Sequence, residues 1–242
     1  MAAKYDRIGA SYAKLRRADP RIAAQIHSAL GTAECVVNIG AGTGSYEPAD
    51  RSVVAVEPSA EMIAKRPGGA GLAIQASAEE LPFEDNSFDA AMVILTIHHW
   101  SDQPGGLAEM RRVSRGPVVL LTFDPTARPW LTDYLPQLAE LDEQVMPRME
   151  DYGRWLGDFR VETVPVPKGC TDGFLYAYWD RPEAYFDAHL RSGCSSFWAI
   201  EGVDEGLNWL REDIDRGDWA QRYAYLAGLG SYDAGYRLVI AS

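Results

Sequence analysis

The sequence predicts an α/β protein: a doubly wound, mostly parallel sheet with an N-terminal helical lid and a C-terminal helical cap. Three observations lead there. Apolar runs of strand length alternate with amphipathic helical stretches between residues 35 and 123, the pattern of parallel strands covered by helices. The first run, starting at Cys35, breaks into glycines at alternate positions, Gly40, Gly42 and Gly44. The second ends on a carboxylate, Glu57. Glycines present no Cβ, so such a turn can press its backbone against a ligand. An acid at the tip of the second strand is placed to take two hydrogen bonds from a ribose diol. The expectation is a nucleoside-bearing ligand at the carboxyl ends of parallel strands.

Spacing narrows the ligand. A dinucleotide site wants G-x-G-x-x-G opening a full helix, whose N-terminus holds the pyrophosphate. Here the pattern is G-x-G-x-G, and only residues 45–51, with Pro48 among them, precede the next strand. That leaves room for little more than one helical turn, where a parallel crossover normally takes about a dozen residues. A stub helix is a poor pyrophosphate seat. It suffices for an adenosyl sulfonium, which needs only close backbone approach and a diol acceptor.

The length of 242 residues suits one α/β domain with insertions, or two small ones, and 24% charged with 47% hydrophobic residues is ordinary for a soluble globular chain. Lys plus Arg number 23 against 35 Asp plus Glu, a net charge of −12. Binding a phosphate backbone requires clustered Lys and Arg, so nucleic acid is disfavoured as a partner. No apolar stretch approaches the roughly 18 residues of a membrane span, and the opening Met1-Ala2-Ala3-Lys4-Tyr5-Asp6 lacks the apolar core of a signal peptide. Three cysteines without a pairing framework fit a reducing cytoplasm.

Along the chain, residues 1–30 read as lid helices. Ile22, Ile26 and Leu30 share a face and Gly31 is the stop. The aromatic, polar stretch of residues 5–13 reads either as a surface helix or as a lid closing over the ligand. Residues 31–126 form the ligand-binding core. In it Ser59 caps a short helix through Lys65, residues 72–75 make a third strand, and the apolar run 90–97 is a fully buried central strand. A helix with Leu107, Met110 and Val113 inward leads to a strand over Val118–Phe123. Residues 127–168 are an insertion and a return to the sheet, where Pro165 demotes the strand of residues 159–166 to an edge. Residues 169–230 are an aromatic-rich helical cap, and 231–242 hold the final strand.

The glycine segment of residues 36–44, Glu57, the Ala-Glu-Glu-Leu-Pro-Phe loop of residues 78–83 running on to Asp89, and His98-His99-Trp100 resemble class I S-adenosylmethionine-dependent methyltransferases. The likeness is to the branch of ubiquinone and sterol methyltransferases, on a Rossmann-like fold. It covers residues 5–124 well and the remainder poorly. It implies S-adenosylmethionine as cofactor and S-adenosylhomocysteine as product. It further implies that Gly40, Ala41 and Gly42 line the methionine and ribose portion, that Glu57 holds both ribose hydroxyls, and that Pro58 or Met62 packs on the adenine. Leu95 and Thr96 would face the sulfonium. Where the family commonly has an acid at the head of the Ala-Glu-x-Leu-Pro-Phe loop, this chain has Ser77 followed by Ala78, and a serine accepts less strongly from the adenine amino group. The shortened crossover is a second departure, which makes Tyr5, Arg7, Tyr12 or Arg16 plausible helpers for the methionine carboxylate.

Methyl transfer is in-line substitution, served by alignment and exclusion of water, and by a base where the nucleophile loses a proton. His98 and His99 follow a central strand and are the candidate catalytic residues. On an extended segment one would point inward and the other outward. Asp124 at the tip of the fifth strand, Asp172 and Trp198 are candidates for the acceptor pocket; Asp124 and Asp172 also read as turn residues. No metal site stands out, because adjacent histidines chelate poorly without distant partners. Cys35, in the first strand, is expected buried and inert, and Cys170 and Cys194 read as free structural thiols. An aromatic cap over the strand ends implies a small apolar or aromatic acceptor. Three other readings stand beside methyl transfer: an enzyme using the same cofactor for different chemistry, a nicotinamide oxidoreductase, and a non-catalytic partner subunit retaining the fold.

Overall fold

A computed structural model describes residues 15–242 of the chain. The expectations placed on Tyr5, Arg7 and Tyr12 lie outside the described residues. The first described helix, α1 (Pro20–Ala29), begins where Asp19 accepts from the Arg21 amide and Pro20 occupies the first turn. It buries Ile22 and Ile26 and ends before Gly31, whose φ of 60° is the left-handed stop.

Four strands then rise in parallel: β1 (Cys35–Ile39), β2 (Ser52–Val56), β3 (Ala73–Ile74) and β4 (Ala90–Ile94). Two helices lie among them or just after. Helix α2 (Ala60–Ala64) is capped by Ser59, whose hydroxyl accepts from the Met62 amide. Helix α3 (Gln103–Val113) is capped by Asp102 on the Gly105 amide, with Leu107, Met110 and Val113 inward. Strand β5 (Val118–Phe123) is buried along its whole length, as a central strand covered on both faces should be.

Between β5 and the end of the sheet, within the stretch expected as an insertion, the chain forms α4 (Pro136–Val145) and α5 (Met149–Leu156). Pro136 sits in the first turn of α4, where its missing N–H costs nothing. Tyr152 of α5 is buried against β5, its hydroxyl 2.9 Å from Thr122 Oγ1. Strand β6 (Phe159–Thr163) is the sheet edge, followed by the small β7 (Val166–Pro167). Helix α6 (Ala188–Arg191), α7 (Val203–Arg216) and α8 (Asp218–Arg222) precede β8 (Ser231–Tyr232), which pairs with β7, and β9 (Tyr236–Ala241).

Among the described residues seven strands make one sheet in the order β3-β2-β1-β4-β5-β9-β6. Strand β9 inserts antiparallel between β5 and β6; every other pairing is parallel. The order reverses between β1 and β4, so a crevice opens beyond their carboxyl ends, where ligands of open α/β sheets bind.

Four expectations are corrected. Residues 45–51 contain turns and no helix, because Pro48 and the positive φ of Gly44 and Tyr46 interrupt any helical run. The third strand is only two residues long, Ala73–Ile74. The cap is helical mainly in α7; residues 174–200 hold only the four-residue α6 and short 3-10 turns around packed rings. Cys35 is half-buried rather than buried, since it opens β1 at the sheet rim, whereas Cys170 and Cys194 are buried; all three are free thiols. No helix among the described residues is long and apolar enough to cross a membrane.

Candidate active site

Two cavities meet at the crevice. The larger, about 440 Å³, lies over the ends of β1, β2 and β4. Gly40, Ala41 and Gly42 form one wall and Glu57, Pro58 and Met62 another; Ser77 and Ala78 close a third. Leu95 and Thr96 stand at the end of β4. The glycine turn is locked by close packing: a Cβ on Gly40 would lie 2.5 Å from Thr96 Cγ2, and Gly40 already holds φ at 67°. Only glycine meets both conditions.

Glu57 is buried, and its carboxylate accepts from the amides of Gly42 (2.8 Å) and Ser59 (2.9 Å), one to each oxygen. Burial raises its pKa, against the lowering effect of the two amides and the charge of Arg66. Each carboxylate oxygen keeps acceptor capacity for a further donor. Asn38, also on the cavity wall, has a buried Oδ1 with no partner among the described residues.

The helixless crossover is fastened by side chains. Glu47 accepts from Asn38 Nδ2 at 2.9 Å and from Arg66 at 2.7 Å, the last a pair with both side chains largely buried. Tyr46, at φ 67°, accepts at its carbonyl from His27 Nε2 and donates its hydroxyl to Asp172, each at 2.9 Å. Asp172 is fully buried and also receives Arg16 Nε at 2.7 Å. One carboxylate thus joins the segment before α1, the crossover and the cap.

The second cavity, about 180 Å³, lies beside the first; Arg16, Leu95 and His99 line both. Its walls are apolar in Leu141, Val145 and Met146 of α4 and its C-terminal end, and aromatic in Phe123, Phe174 and Tyr236. His98 lines it too. The two histidines sit on a 3-10 turn, Ile97–His99, and not on an extended segment. Consecutive residues on such a turn are offset by about 120°, so both rings reach this cavity, 3.9 Å apart. His98 is the more covered, and its Nδ1 is buried without a partner among the described residues. Burial, then His99 and Arg16, pushes its pKa well below the usual histidine value, so the ring is neutral at pH 7. Leu95, between the cavities, holds φ at 51°. A branched residue in that region is strained, a feature that concentrates at functional sites.

Asp124, Asp172 and Trp198 line neither cavity. Asp124 receives Thr126 in a tight turn, Asp172 is consumed in its buried pair with Arg16, and Trp198 is partly exposed on a 3-10 turn. Sequence reasoning missed Asn38, Glu79 and Trp100 in the first cavity and Asp142 and Tyr176 in the second. Glu79 and Trp100 lay inside recognised motifs. Asp142 carried no local signal.

Residues 37–120 match the family model described as methyltransferase domain. A crystal structure of a proposed methyltransferase from an antibiotic biosynthesis pathway of Anabaena variabilis ATCC 29413 is 34% identical and superposes with a TM-score of 0.86, covering 95% of this chain and 99% of that one. The chain belongs to the class I S-adenosylmethionine-dependent methyltransferases. This methyltransferase is also 34% identical over 116 residues to the ubiquinone/menaquinone biosynthesis C-methyltransferase UbiE of Citrifermentans bemidjiense, over 40% of this chain and 49% of that protein. The chain thus spans about half the length of the curated relatives it matches. The geranyl diphosphate C-methyltransferase of Streptomyces coelicolor A3(2), solved with S-adenosylhomocysteine, shares the fold at 18% identity and a TM-score of 0.52, covering 91% of this chain and 76% of that one.

The larger cavity fits the family's cofactor. A buried carboxylate with acceptor capacity to spare suits a vicinal diol, the Cβ-free cradle at Gly40 and Gly42 admits close backbone approach, and Asn38 Oδ1 supplies an acceptor that no described residue satisfies.

Proposed function

We propose that this methyltransferase transfers a methyl group to a small, largely apolar molecule held in the 180 Å³ cavity. The observation that carries the reading is the shared wall: Arg16, Leu95 and His99 border both cavities, so an acceptor in one abuts the cofactor in the other. S-adenosylmethionine, when bound, supplies an electrophilic methyl group. Glu57, Asn38 and the Gly40–Gly42 turn are the residues proposed to hold it, with Pro58, Met62, Ser77 and Ala78 around the base. Leu95 fixes the boundary between donor and acceptor, and the apolar walls exclude water, which is where such enzymes obtain much of their rate. His98, neutral and with an Nδ1 that no described residue partners, receives the proton of the acceptor's nucleophilic group. The compact cavity suits an acceptor of about one ring, below the common range of roughly 300–1,000 Å³ for drug-sized ligands. UbiE, by its name, is a C-methyltransferase.

The test is release of S-adenosylhomocysteine from S-adenosylmethionine across a panel of one-ring amines, phenols and quinols. Acceptor-dependent release that falls at least tenfold in His98→Ala supports the reading. Absence of acceptor-dependent release, with the cofactor bound, overturns it in favour of a partner subunit or other cofactor chemistry.

A further inference from the structure

Asp142 is the feature of the acceptor cavity that an apolar pocket does not require. It lies on α4, is only 4% exposed, and lines the cavity. Among the described residues its carboxylate receives one hydrogen bond, from the Tyr176 hydroxyl to Oδ2 at 3.1 Å, and no cation pairs with it. Arg128 acts on it only through its charge, its own guanidinium being engaged by Glu143 and the carbonyls of Pro125 and Ala127. Arg16, across the cavity, is held by Asp172. Desolvation raises the Asp142 carboxyl to about 7, the signature of a buried acid lacking a counter-ion.

The surroundings specify what would complete it. Phe123 packs 5.2 Å from Tyr176 and 5.3 Å from Tyr236, and Phe174 packs 4.7 Å from Tyr236, centroid to centroid. A group of rings beside a carboxylate is a setting for a cation, which is drawn both to ring faces and to the unpaired charge. An anionic acceptor would be repelled. A neutral phenol could donate a hydrogen bond but would leave the buried charge uncompensated. The chain's net charge of −12 favours the approach of a cation as well.

Resting on the methyltransferase reading above, we propose that the acceptor is a small ring-bearing amine whose ammonium group is received by the Asp142 carboxylate between these rings. The nitrogen so anchored need not be the atom methylated. The anchor selects the molecule, and the wall at Leu95 selects the atom.

The test uses 2-phenylethylamine and its neutral counterpart 2-phenylethanol as probes, titrated calorimetrically at pH 8 into the full chain saturated with S-adenosylhomocysteine. The wild-type protein is expected to bind the amine at least tenfold more tightly than the alcohol. Asp142→Asn, which can still accept from Tyr176, is expected to lose at least tenfold in amine affinity while alcohol and S-adenosylhomocysteine affinities stay within twofold. The wild-type preference needs no variant, so it decides the matter even where the variant fails to fold. Equal binding of the two probes, binding of neither, or an amine preference surviving in Asp142→Asn overturns the proposal alone. Failure of the folded wild type to bind S-adenosylhomocysteine removes the methyltransferase reading, and this one with it.

Discussion

The two cavities share a wall but are assembled in different ways. Apart from Arg16, the cofactor cavity draws its lining from residues 38–101, mostly from the turns that follow β1, β2 and β4. The acceptor cavity gathers Arg16, the turn after β4, the end of β5, α4, the segments at 174–176 and 193–199, and Tyr236. One is a product of local turns repeated along a parallel sheet; the other exists only where seven separate segments converge. Strain and burial differ accordingly. The first cavity is held by glycine geometry and backbone amides, the second by a buried ion pair and packed rings, and it carries a carboxylate that no cation pairs with among the described residues.

The largest effect is expected at the shared wall. Among the described residues, replacing Arg16 by Ala leaves the fully buried Asp172 carboxylate with Tyr46 as its one hydrogen-bond partner. Removing one member of such a pair costs about 3–5 kcal/mol, readable by denaturant unfolding. Affinity for ligands in both cavities should fall with it. Unchanged stability would show that the two cavities are not fastened together there.

Next comes the glycine turn. Gly40→Ala combines a left-handed backbone with a Cβ 2.5 Å from Thr96 Cγ2, a cost of about 3 kcal/mol from torsion and overpacking together. The double variant with Thr96→Ala should recover the overpacking share and leave the torsional one. Full recovery would mean that the positive φ is relaxed at little cost.

Glu57→Ala should weaken S-adenosylhomocysteine binding by about 2 kcal/mol, measured by calorimetry, while leaving probe binding in the acceptor cavity intact in the presence of saturating product. Equal losses in both would dissolve the distinction between a locally built and a tertiary-built site.

The smallest effect concerns pH. The folded-state pKa of Asp142 is raised from 3.8 to about 7 by desolvation, so its favourable contribution is full below pH 4 and is lost as pH rises towards 7. Asp142→Asn should flatten that part of the stability curve and be the more stable protein at pH 8. The gain is on the order of 1–2 kcal/mol, after the hydrogen bond from Tyr176, which the amide still accepts, loses its charge assistance. A variant that loses stability equally at pH 4 and pH 8 would place the residue in packing alone.

Legibility in the sequence followed the same division. The glycine turn, Glu57, Ser59 and the apolar run into β4 all act within a few residues of themselves, through φ, capping and strand-end placement, and were readable in order. The pair of histidines was readable as a location but not as a geometry, because an extended segment and a 3-10 turn aim the second ring differently. Asp172 looked like a turn acid and proved to be a buried tie, since its partners Arg16 and Tyr46 stand 156 and 126 residues away. The aromatic stretch was legible as apolar mass. Its division between core rings such as Trp179 and Tyr185 and cavity rings such as Phe174 was not.

What the sequence by itself determined is the alternation of strands and helices, the Cβ-free turn and the acid that follows the second strand, because each rests on torsional and steric rules acting over a handful of residues. Only the tertiary structure decided how a crossover without a helix is held, which acids remain without a cation, and that Asp142 faces a ring-lined cavity. Those outcomes depend on burial, and burial is set by segments that the chain brings together only on folding.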